Sequence, residues 1–125
     1  MNVVDSSAWL EYFAGGEAGD FFAPAIEDIP RLVTPAVTIY EVFKRVLQQR
    51  SENEAIQAAV HMQQGMVVPL DAELAMTAAK LGHELKLPLA DSIILATARA
   101  HEAILWTQDA HFEGLEGVRF RGRRA

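Results

Sequence analysis

The chain contains no cysteine. That absence excludes a disulfide framework, a thiolate zinc site and a thiol nucleophile, and it fits a reducing cytoplasmic setting. No apolar run is long enough to span a bilayer, and Met1 leads straight into a strand-like stretch rather than a signal peptide. No membrane association is therefore expected. Basic residues are scarce, with 11 Lys and Arg against 17 Asp and Glu and a formal net charge of −6. Such a balance argues against a surface built mainly for phosphate contacts. The charge is uneven, however, because Arg119, Arg121, Arg123 and Arg124 crowd the C-terminal "RFRGRRA". Two nucleotide signatures are missing too: Gly15 and Gly16 belong to neither a Walker nor a dinucleotide pattern. Ser6 and Ser7 lack the Gly-x-Ser-x-Gly surroundings of a hydrolase nucleophile.

What is present is the composition of a globular protein, half hydrophobic over 125 residues, which implies one domain across 1–125. Short apolar runs at Val3–Val4, 31–34 ("RLVT"), 66–70 ("MVVPL") and 103–107 ("AILWT") read as strands, with a weaker fifth at 118–120 ("VRF"). They do not alternate strictly, as expected for strands buried on both faces of a parallel sheet. Helical segments separate them. "SSAWLEYF" follows the first strand, and "AGGEAGD" (14–20) reads as a flexible loop. In "TPAVTIYEVFKRVLQQR", Thr34 is placed to cap and Pro35 to occupy the first helical position, ahead of an apolar stripe at Ala36, Ile39, Tyr40, Phe43, Val46 and Leu47. "NEAIQAAVHMQQG" offers Gly65 as a C-terminal cap. "DAELAMTAAKLGHELK" starts at Asp71 and stops before Pro88. "LADSIILATARAHEA" is apolar nearly all round and should be the most buried helix. Alternating strands and helices predict an α/β domain with a central parallel sheet of four to five strands.

Ligands of such sheets sit beyond the carboxyl ends of the strands, and four acids fall there. Asp5 follows the first strand, Glu41 lies in the second turn of a helix, Asp91 in the first turn of the apolar helix, and Asp109 after the strand "AILWT". Each has an ordinary role available. Asp5 can cap a helix, Asp91 suits a helix dipole, Glu41 can pair with Arg45 at i,i+4 for a few tenths of a kcal/mol, and Asp109 can cap a turn. All four on one sheet edge is harder to explain that way. Clustered carboxylates raise one another's pKa values, and a hard divalent cation removes the conflict. Oxygen donors favour Mg²⁺ or Mn²⁺ over Zn²⁺. A cation so held can activate water and stabilise a phosphodiester's leaving oxygen.

The blocks "NVVDSSAWL", "TIYEVFKR", "LPLADSIILATARAH" and "ILWTQDAHF" together resemble the PIN domain, and within it the VapC toxins of toxin–antitoxin pairs. The resemblance runs nearly end to end. It implies a three-layer α/β/α sandwich, a Mg²⁺- or Mn²⁺-dependent endoribonuclease that cleaves RNA and blocks translation, and a cognate VapB antitoxin that neutralises it. It also implies a homodimer and a toxin–antitoxin hetero-oligomer. By motif position, Asp5, Glu41, Asp91 and Asp109 stand where the family's metal-binding acids stand. Thr107 stands where a Ser, Thr or Asn often lies near the metal, and Ser6 where a hydroxyl is expected to meet metal-bound water.

The remaining features carry less. His61, His83, His101 and His111 show no ligand-like pairing and read as surface or helix-end residues, with His111 the exception through its nearness to Asp109. Trp9, Tyr12, Phe13, Phe21 and Phe22 read first as core and second as a groove for a partner. Lys44, Arg45 and the terminal arginines are candidates for RNA phosphates or for an acidic partner. Two rival functions stay open. One is phosphoryl transfer with Asp5 as nucleophile, although Ser7 stands where the usual second acid would be. The other is a non-catalytic module that binds RNA or protein.

Overall fold

The computed structural model describes residues 1–122, so Arg123 and Arg124 of the basic tail lie outside the described residues. Its elements run β1 (Asn2–Val4), α1 (Ser6–Ala14), α2 (Glu17–Glu27), β2 (Leu32–Pro35), α3 (Ala36–Gln49), α4 (Glu52–Met62), β3 (Met66–Val68), α5 (Ala72–Leu85), α6 (Leu89–Ala100), β4 (Ile104–Thr107) and β5 (Val118–Phe120). Short 3₁₀ turns occupy Ile29–Arg31 and Ala110–Phe112.

The strands form one sheet in the order β3-β2-β1-β4-β5, with every pairing parallel. Alternation along each strand splits the core into two layers. Val4, Leu32 and Trp106 face a cluster with Trp9, Phe22, Ile26, Val42 and Met62, drawn from α1 to α4. Val3, Val33 and Leu105 face the other way, against Ile94, Leu95 and Ala98 of α6 and Phe112. The result is the expected three-layer sandwich with five strands. The expectation for α6 also holds, since Ser92 through Ala98 are all buried. Among the described residues no helix is long and apolar enough to cross a membrane.

Three local expectations are corrected. Residues 14–20 are not a loop: α1 ends on Gly15, and α2 begins two residues later at Glu17. The glycines there suggest a break, yet Gly19 is a helical residue whose missing Cβ would stand 2.9 Å from the Glu11 carbonyl oxygen. It is glycine because α1 and α2 touch backbone to backbone. Thr34 does not cap α3. It is the buried third residue of β2, its hydroxyl donates to the Met62 carbonyl oxygen at 2.9 Å, and Pro35 rather than Thr34 flanks the helix. Gly65 is not a C-cap either. α4 ends at Met62, and a Cβ on Gly65 would lie 2.6 Å from the Leu32 carbonyl oxygen. The chain there crosses directly over the start of β2 on its way into β3.

Candidate metal centre

The strand order reverses between β1 and β4: β1 connects forward to β2 on one side, while β4 adds on the other. In an open parallel sheet a crevice forms beyond the carboxyl ends of the strands at such a point. Asp5 immediately follows β1, and Thr107 to Asp109 end β4 and leave it. A cleft of about 1210 Å³ opens there, and Asp5, Glu41, Asp91 and Asp109 all line it. Four elements far apart in sequence thus bring their carboxylates to one cavity.

Asp5 is the innermost, only 2% exposed. It does cap α1, with Oδ1 accepting from the Ala8 N–H at 3.0 Å and from the Ser7 hydroxyl at 2.9 Å. Oδ2 accepts from the Thr107 hydroxyl at 2.7 Å. These donors favour the carboxylate, but burial outweighs them and pushes its pKa up to about 6, with a smaller contribution from the nearby Asp109 charge. The phosphoryl-transfer alternative lacks its second acid: Ser7, in that position, donates to Asp5 instead.

Thr107, expected beside the metal, is a positioning residue in this geometry. Its buried hydroxyl donates to Asp5 and accepts the Asp109 N–H at 2.9 Å, fixing two of the acids relative to each other. Thr107→Val is expected to cost about 1–3 kcal/mol in urea denaturation, because the half-buried Asp109 N–H and a buried carboxylate oxygen of Asp5 lose their partner. Thr107→Ser should retain most of it.

Asp91 opens into the cleft from the first turn of α6. Its pKa is raised by burial first and by the Asp109 charge second, while a bond from His111 works against both. Glu41 accepts a hydrogen bond from the Ser6 hydroxyl. Among the described residues it forms no ion pair with Arg45, contrary to the ordinary reading of that spacing. Asp109 has both roles: its Oδ1 accepts the His111 N–H at 2.9 Å, capping a 3₁₀ turn, and it faces the cleft.

One participant, Gln108, carries no signal in the sequence, and a second, His111, stands out there only by its nearness to Asp109. Gln108 is buried, lines the cleft and donates from Nε2 to the Ser7 carbonyl oxygen at 3.4 Å. His111 places Nδ1 2.9 Å from Asp91 Oδ2 and 3.1 Å from Asp109 Oδ1. Its pKa is raised by the bond to Asp91 and the charge of Asp109. The Asp-x-His spacing of "QDAHF" was the available signal.

The residues fit a divalent cation: among the described residues Asp91, Asp109 and His111 bring ligand atoms within 4.8 Å of one another, and Asp5 and Glu41 line the same cleft. The donor set is chiefly carboxylate oxygen, and the buried Asp5 is held protonation-prone for want of a compensating charge. No Lys or Arg forms an ion pair with any of the four acids among the described residues. Farther along the same cleft, α3 presents Lys44 and Arg45 and its C-terminal end Arg50, which are likewise without carboxylate partners there. Phe13 and His61 line the wall from α1 and α4, the imidazole packed edge-on against Trp9, Tyr12 and Phe13. Of the early aromatics, Trp9 and Phe22 are core, and Tyr12, Phe13 and Phe21 pack on it while partly exposed.

A parallel sheet that gathers carboxylates beyond its switch point defines a class of α/β domains with an acidic, cation-ready crevice. Within that class the chain belongs to the PIN domain family, whose family model matches residues 3–118. Among solved structures it is similar to a toxin–antitoxin complex from Klebsiella pneumoniae, at 26% identity and a TM-score of 0.79, over 95% of this chain and 96% of that one. It shares its fold with VapC20 of Mycobacterium tuberculosis, a sarcin–ricin loop cleaving toxin, at 20% identity and a TM-score of 0.76, over 95% and 99% of the two chains. The same holds for DNA-bound VapBC from Salmonella typhimurium, at 15% identity and a TM-score of 0.71, over 98% of each. No curated protein matches the chain.

Proposed function

We propose that this protein is the toxin of a VapBC-type toxin–antitoxin pair and acts as a Mg²⁺- or Mn²⁺-dependent endoribonuclease in the cytoplasm. The observation that carries the reading is the convergence of Asp5, Glu41, Asp91 and Asp109 on one cleft that Lys44, Arg45 and Arg50 also line, without carboxylate partners among the described residues. Asp5, Glu41, Asp91 and Asp109 would hold the ion. When bound, it supplies an activated water and neutralises charge at a phosphodiester.

The chain's own residues do the rest. Thr107, Ser7 and the Ala8 N–H hold the Asp5 carboxylate in one rotamer. Ser6 steers Glu41. Lys44 and Arg45, one helical turn beyond Glu41, meet RNA phosphates leading away from the site. The similarity to toxin–antitoxin structures supports a VapB-type antitoxin as partner; assembly as a homodimer and as a hetero-oligomer with that antitoxin is part of the same proposal.

The test is direct. Purified protein incubated with total RNA should produce discrete cuts with Mg²⁺ or Mn²⁺ and none with EDTA, and Asp91→Ala should lose at least about 99% of the activity. Divalent cation should also raise the melting temperature, by mass action and by relieving carboxylate repulsion. Binding of RNA without cutting, with or without cation, would favour the non-catalytic module instead.

A further inference from the structure

We propose that His111 is a nitrogen donor to the cation and tilts this site toward Mn²⁺ over Mg²⁺; the proposal rests on the metal-dependent reading above. His111 Nδ1, Asp91 and Asp109 offer one nitrogen and two carboxylate oxygens within 4.8 Å of one another. The nitrogen stands 2.9 Å from one oxygen and 3.1 Å from the other. Neighbouring donors on an octahedral cation with bonds of about 2.1 Å stand about 3.0 Å apart, since the edge of an octahedron is about 1.4 times its radius. The nitrogen therefore already has the spacing of an adjacent ligand to each oxygen. An ion entering beside the acids takes the place of the imidazole proton, the ring turning from its hydrogen bond to Asp91 toward the cation.

The local chain explains why His111 is so placed. Asp109 Oδ1 accepts the His111 backbone N–H, and the resulting turn at Ala110–Phe112 folds the imidazole back over the two acids. Phe112 anchors that turn in the core and is fully buried. Imidazole nitrogen is a softer donor than carboxylate or water, and it suits transition-metal ions better than Mg²⁺. A site of oxygens alone would discriminate little between Mg²⁺ and Mn²⁺. Adding one nitrogen strengthens Mn²⁺ binding selectively. His61, the other imidazole on the cleft, is packed among Trp9, Tyr12 and Phe13.

The experiment is pulsed electron paramagnetic resonance on the Mn²⁺-loaded full chain, with calorimetric titrations of Mn²⁺ and Mg²⁺ beside it. The wild type should show hyperfine coupling from a directly bound imidazole nitrogen. His111→Gln should lose that coupling and bind Mn²⁺ about tenfold or more weakly, with Mg²⁺ affinity changed by less than about twofold. Mn²⁺ bound without nitrogen coupling, or equal losses for both ions, would overturn this inference alone and leave His111 as a hydrogen-bonding neighbour of the acids. Absence of any Mn²⁺ binding to the wild type would overturn it together with the metal-dependent reading.

Discussion

Asp5→Asn is expected to unfold at a higher urea concentration than the parent protein at pH 7.5 without divalent cation, while losing RNA cleavage by at least about a hundredfold. Burial carries the argument. A carboxyl that ionises near 6 in the folded chain and at its ordinary 3.8 when unfolded favours the protonated folded state. Below about 3.8 the group is protonated in both states and exacts no penalty. Between 3.8 and 6 the unfolded chain gives up its proton first, so stability falls as pH rises. Above about 6 the penalty is constant, at about 3 kcal/mol. Asparagine never ionises and so escapes it. Its carbonyl oxygen can take the Ala8 N–H and the Ser7 hydroxyl, and its amide can donate to Thr107, whose oxygen has two lone pairs. The net gain should be about 1–3 kcal/mol at about pH 7.5 and should shrink toward zero near about pH 4. Denaturation curves at about pH 4, 5, 6 and 7.5 measure it. An Asp5→Asn variant less stable than the parent at about pH 7.5 would show that Asp5 is stabilised as an anion by its surroundings. In the parent, saturating Mn²⁺ should recover a comparable amount, and the variant should respond little.

Gly65→Ala is expected to destabilise the fold by about 3 kcal/mol and lower the melting temperature by about 10 °C. The added methyl would meet the Leu32 carbonyl oxygen at 2.6 Å, and Leu32 Cγ and Cβ at 2.8 and 3.0 Å. Repacking a side chain cannot relieve a contact with a backbone oxygen, so either β2 or the turn into β3 has to move. β2 leads directly into α3 and hence to Glu41, so residual activity should fall beyond what the unfolded fraction explains. A change under about 0.5 kcal/mol would mean that the turn yields freely and that Gly65 has no packing role.

How much could be read from the chain depended on whether the signal was local. The strands were legible because each is a short apolar run between turn residues, and α6 because seven consecutive buried residues leave it no polar face there. The common edge of Asp5, Glu41, Asp91 and Asp109 followed from parallel topology alone. α2 is hidden because Gly15 and Gly16 before it, and Gly19 and Pro24 within it, look like breakers, and only contact with α1 explains Gly19. The misplaced caps at Thr34 and Gly65 have a similar cause: Met62 and Leu32 dictate those positions across the molecule, and propensity does not see them. His111 was undervalued because its bond to Asp91 spans 20 residues. The ordinary capping roles of Asp5 and Asp109 proved compatible with the cleft, since each carboxylate holds a backbone N–H while facing the cavity.

The bond between Thr107 and Asp5 joins residues 102 positions apart, and β4 is the strand that completes the centre of the sheet beside β1. Contacts across so long a loop close late, after local helices have formed. The pocket around Asp5 therefore waits on β4: until Thr107 is in place, the buried carboxylate lacks its cross-sheet partner.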